Sequence, residues 1–172
     1  AWQAISLCAV ARMVDKPKLG STFLGLALAG MFLTRGWPGI APILLALLII
    51  FIPKGPLART RTWLAWSLLM ASLLVMAWWW PASQIPGSWM THFIHWNQTY
   101  YGLPRADALL WPFRDLPWFL WPTWPLAVIA IWKWRAWILS PHLLIPVSFA
   151  ASVLLTLFLT MDAGDIDFAM LV

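Results

Sequence analysis

Charged side chains are confined to short clusters along this chain, and the apolar runs between them are about as long as a bilayer is thick. Eleven Lys or Arg and six Asp, with no Glu, fall almost wholly at 12–18, 54–61, 105–115, 133–135 and 162–167. A soluble domain is about 45–50% apolar and about 25% charged. This chain is 62% hydrophobic and 10% charged, with 16 Trp and 14 Pro. That balance argues against a soluble globular fold and predicts an all-α, polytopic transmembrane bundle. The net charge of +5 calls for no nucleic-acid partner if the basic residues sit on loops at one membrane face. Cys8 is the lone cysteine, so no intrachain disulfide can form, and it reads as a small packing residue.

Both termini read as cut ends. Trp2 to Ala11 has no basic n-region and no cleavage site, and resembles the last turns of a helix. Phe168 to Val172 opens an apolar segment that stops after one turn, so the sequence reads as an excerpt of a longer chain. Five spans are predicted between these partial ones: Leu19 to Thr34, Pro38 to Ile52, Trp63 to Trp80, Leu116 to Ile138 and Leu143 to Met161. Taken as one helix, Leu19 to Ile52 would reach roughly 50 Å, too far for one crossing. Gly36, Pro38 and Gly39 are turn formers, so the first two spans should make a hairpin with its tip at or just below the membrane surface.

Loop charges fix the direction. Counted on alternate sides of these spans, eight basic residues fall on one side and three on the other, and the positive-inside rule assigns the eight to the cytoplasm. Arg35, the loop from Pro81 to Asp115 and the aspartates 162–167 are then extracytoplasmic. Trp63, Trp66, Trp132, Trp134 and Trp137 fall near the inner surface. Trp78, Trp79, Trp80, Trp89, Trp96, Trp111 and Trp118 fall near the outer one, as interfacial anchors do.

The loop 81–115 carries most of the candidate chemistry, because a long connection is usually functional or disordered and this one is too apolar for disorder. Ser88 to Tyr101 reads as an amphipathic juxtamembrane helix. Trp89, Phe93, Trp96 and Tyr100 form its apolar face, with His92, His95 and Thr99 opposite. Asn97, Gln98, Tyr101, Arg105 and Asp107 follow at its end. His92 and His95 are one turn apart, but two imidazoles with no Cys or Glu nearby do not make a metal site. They read as a solvated face or as hydrogen-bonding partners of a substrate. Arg35, at a hairpin tip near membrane depth, either snorkels to the surface or meets an anion there. A lipid-linked phosphate suits its bidentate fork. Arg105 and Arg114 could serve likewise, or pair with Asp107 and Asp115. Asp162, Asp165 and Asp167 lack the length and the terminal Glu of an EF-hand, and read as helix-ending charge.

The run Gly25-Leu26-Ala27-Leu28-Ala29-Gly30-Met31-Phe32-Leu33-Thr34-Arg35-Gly36 resembles the hairpin of a known family. The helix from His92 to Tyr101, followed by Trp111-Pro112-Phe113 and Leu116-Pro117-Trp118, is similar to that family's juxtamembrane helix and the start of its next span. The family is that of the polytopic GT-C glycosyltransferases related to bacterial aminoarabinose transferases and protein mannosyltransferases.

The resemblance implies sugar transfer from a polyprenyl-phosphate donor to a lipid, glycan or protein acceptor at the outer face of a bacterial inner membrane. Its partners would be that donor and the membrane lipids. No cofactor is implied, although a divalent cation would be compatible. The family's catalytic aspartate lies in a first outer loop that matches no Asp of this chain, so no catalytic residue is carried over. Arg35 stands where the family usually has Lys, which exchanges a point charge for a planar fork. Arg35, His92, His95, Asn97, Tyr101, Arg105 and Arg114 are the candidate contacts to donor phosphate or sugar. A transporter, a lipid flippase or a haem-handling assembly protein remains the alternative, although no repeat and no compact Trp-Asp signature is present.

Overall fold

A computed structural model describes residues 2–51, 56–87, 89–99, 117, 121 and 123–159. Tyr101, Arg105, Arg114, the aspartates 162–167 and the apolar end 168–172 lie outside the described residues. The described secondary structure is entirely helical. Its α-helices are α1 (Trp2–Asp15), α2 (Pro17–Phe51), α3 (Arg61–Ser83), α4 (Trp89–Thr99), α5 (Thr123–Lys133) and α6 (Pro141–Phe158), with short 3-10 turns at Pro56–Thr60 and Arg135–Trp137.

Helix α2 is bent back on itself. Gly36 takes φ 64° and ψ −149°, a conformation essentially reserved for glycine. Helical geometry restarts at Trp37-Pro38, where proline fits a first turn because an N–H there would have no partner within the helix. Two contacts define the direction of the second arm. Lys18 Nζ lies 5.9 Å from the Trp63 ring centroid. Arg61 donates from Nε and Nη2 to the Phe51 carbonyl, at 3.0 and 2.7 Å. Both ends of α2 therefore meet the first turn of α3, whereas a straight helix of 35 residues would hold them roughly 50 Å apart. The result is a hairpin with arms 17–35 and 37–51. Its second arm ends on an orphan carbonyl that a guanidinium satisfies, the favoured charge at a helix C-terminus.

Small residues allow the other helices to approach. A Cβ at Gly20 would lie 2.6 Å from the Met13 backbone nitrogen, and one at Gly30 would lie 2.7 Å from the Trp2 ring. Helix α1 thus runs antiparallel to the first arm. On the other side, a Cβ at Gly25 would sit 3.0 Å from the Ser67 carbonyl of α3. The shared core joins Val10 and Met13 of α1, Leu24 and Leu28 of the first arm, Ile43 and Ile50 of the second, and Ile145 and Phe149 of α6. Buried Ser21, Ser67, Ser148 and Ser152 lie among the small residues of these interfaces.

Among the described residues, two helices, Pro17–Phe51 and Arg61–Ser83, are long and apolar enough to cross a membrane. They differ in cover. The most apolar stretch of α2 is 44% buried and that of α3 only 11%, so α3 is no core helix. Its Leu69, Leu73 and Met76 are more than half exposed. Between Leu116 and Ile138, the described structure includes the helix Thr123–Lys133, a turn at Trp134 and a 3-10 turn after it, while most of 116–122 lies outside the described residues. Pro125 falls in the first turn of that helix, where its missing N–H costs nothing.

Candidate functional site

The end of the molecule opposite the Arg61–Phe51 contact is built from the α2 bend, the last turns of α3 and helix α4. Arg35 occupies the last turn of the first arm and is half-buried. Its Cβ packs so close to Gly39 that a Cβ there would come within 2.9 Å. A cation at this position is also favoured by the dipole of the arm it terminates.

Aromatic rings and one amide fasten α4 to this turn. Phe32 meets Trp37 edge-on at 5.6 Å between centroids and Phe93 at 6.4 Å. At the end of α3, Trp78 packs edge-on against Trp89 at 6.0 Å, and Trp79 lies 6.2 Å from Phe93. Such pairs contribute about 0.5–1.5 kcal/mol each beyond the area they bury. Asn97 makes the polar join. Its Oδ1 accepts the Trp37 N–H at 2.6 Å, and its Nδ2 donates to the Phe93 carbonyl at 2.8 Å. The second arm starts at Trp37, so that N–H has no partner within its own helix. An asparagine from sixty residues away supplies the acceptor that an N-cap residue would normally give. Gly36 lies directly against the same amide, leaving no room for a Cβ.

The stripe that α4 turns toward the rest of the fold is therefore Trp89, Phe93 and Asn97. The apolar face expected from the sequence, with Trp96 in it, is one that would dip into the headgroup zone; Trp89 and Phe93 pack instead on α3 and the bend, and Trp96 is 41% exposed. The helix is rolled so that the Asn97 amide can reach the orphan N–H. Tyr100, the fourth residue of the expected face, lies outside the described residues. His92 and His95 are exposed on α4, one turn apart. Among the described residues, no group of three His, Cys, Asp or Glu could hold a metal ion. Of the seven candidate contacts, Arg35, His92, His95 and Asn97 thus belong to one end of the fold, with Asn97 a structural fastener at the bend. Tyr101, Arg105 and Arg114 are outside the description.

The fastening role of Asn97 could not be read from α4 alone. Its signal was split between Gly36-Trp37-Pro38, which creates a helix start without a capping side chain, and an amide distant in sequence. Asn97→Ala is expected to hand the Trp37 N–H to solvent and to cost about 0.5–1.5 kcal/mol. Thermal unfolding of the purified protein in detergent, followed by tryptophan fluorescence, measures this loss.

No protein-family model, characterised protein or solved structure matches the chain at a significant level.

Proposed function

We propose that this chain is a multi-pass part of a membrane glycosyltransferase of the GT-C kind, which takes a sugar from a polyprenyl-phosphate donor at the extracytoplasmic face. The observation that carries this reading is the Asn97–Trp37 hydrogen bond, because it fastens the helix bearing His92 and His95 to the turn bearing Arg35. A cation, two imidazoles and a rim of tryptophans then share one end of the fold, away from Lys18, Arg59 and Arg61. A lipid-linked sugar phosphate needs that mixture. Its prenyl chain lies in the bilayer, its phosphate meets a guanidinium, and its sugar meets hydrogen-bonding and ring-bearing side chains at the surface.

Glycosyl transfer develops negative charge on the departing phosphate, so a fixed cation beside it stabilises the transition state more than the ground state. Arg35 is assigned that role. His92 and His95 are assigned to the sugar or the phosphate as hydrogen-bonding partners. The nearly uncovered apolar surface of α3 supports membrane embedding, since a helix this apolar in water would be an aggregation surface. Incubating the purified protein with radiolabelled polyprenyl-phosphate sugars and a membrane extract tests the reading. Label passing from the donor to an acceptor is the expected result. A folded protein that turns over no such donor would contradict it, and a Soret band in the same preparation would direct attention to haem.

A further inference from the structure

The opposite end of the hairpin carries a second feature, an open cavity of about 500 Å³ between the second arm of α2 and the start of α3. Its volume is within the usual range of about 300–1,000 Å³ for small-molecule sites. Leu44, Leu47 and Phe51 line it from α2, and Leu64 and Leu68 from α3. The one charged lining residue is Arg61, at the end where α2 stops and α3 begins. Arg59 is exposed just before it.

An open apolar slot with Arg61 in its lining and Arg59 close by in sequence matches an amphiphile with one hydrocarbon chain and an anionic head. We propose that this cavity holds an acyl chain of an anionic phospholipid, with the lipid phosphate seated at Arg59 and Arg61. The proposal rests on the membrane reading above, in which this basic end faces the cytoplasmic leaflet, where anionic lipids attract juxtamembrane Lys and Arg. It concerns a different ligand and the opposite end of the fold from the sugar donor. Charge complementarity decides the occupant. A sterol, a neutral lipid or a second apolar helix would fill the slot without bringing a negative charge to it.

The test is photolabelling of the whole protein in phosphatidylcholine vesicles doped with phosphatidylglycerol that carries a mid-chain diazirine. The same experiment is repeated with a diazirine phosphatidylcholine. Residues 69–76 of α3, where Leu69, Leu73 and Met76 are exposed, serve as the internal measure of nonspecific lipid contact. The phosphatidylglycerol probe is expected to label 44–51 and 61–68 above 69–76, and above the phosphatidylcholine probe by about fivefold for each cation at the lipid phosphate. Ala65 also lines the slot and is exposed. Ala65→Trp should therefore fill the slot and remove that excess, while labelling of 69–76 persists. Arg59→Gln, at an exposed position, should lower the preference for phosphatidylglycerol about fivefold. Equal labelling along α3, no preference between the two lipids, or full labelling of the Ala65→Trp protein would overturn the site while leaving the membrane reading intact. Absence of label from 69–76 as well would overturn membrane embedding and the site together.

Discussion

Gly36→Ala is expected to cost about 1.5–4.5 kcal/mol of stability. Two effects add. Holding a residue with a Cβ at φ 64° and ψ −149° costs about 1–3 kcal/mol. The new methyl also collides with the Asn97 amide, which must withdraw and release the Trp37 N–H. Losing that bond costs about 0.5–1.5 kcal/mol more. The two contributions can be separated by a double-mutant cycle, since Asn97→Gly removes the obstacle but not the backbone strain. Gly36→Ala should then cost about 1 kcal/mol less in the Asn97→Gly background than in the native one. Equal costs in both backgrounds would mean that the amide does not hold the bend.

Arg35→Ala is expected to lower turnover with the polyprenyl-phosphate donor tenfold or more in a protein that still folds. Alanine keeps the Cβ that packs on Gly39. The guanidinium is the group assigned to the departing phosphate, and its contribution should fall mainly on kcat, because charge grows there as the glycosidic bond breaks. Arg35→Lys keeps the charge but loses the planar fork, so intermediate turnover is expected. Unchanged kcat in a folded Arg35→Ala protein would reject the assignment.

The bend at Gly36 was legible in the sequence because three turn formers lie within four residues and the uninterrupted alternative is too long for a bilayer. Helix α4 was legible from its spaced aromatic residues. Its roll was not, because that depends on one amide meeting one backbone N–H sixty residues earlier, and periodicity carries no information about such a partner. Hydropathy alone extended α5 across Leu116 to Ile138. Within that stretch the described helix Thr123–Lys133 stops short of Ile138 and gives way to a turn at Trp134 and a 3-10 turn. The apolar slot beside Arg61 was also invisible, since a cavity depends on how two helices splay and not on what either contains.

The separation of the two ends of the hairpin by a membrane underlies both the sugar-donor and the phospholipid assignments. Cysteine accessibility in intact cells tests it most directly. In a Cys8→Ser background, Gln98→Cys should react with a membrane-impermeant maleimide from outside, and Arg59→Cys only after the membrane is permeabilised. Reaction of both cysteines from the same side of the intact membrane would contradict it.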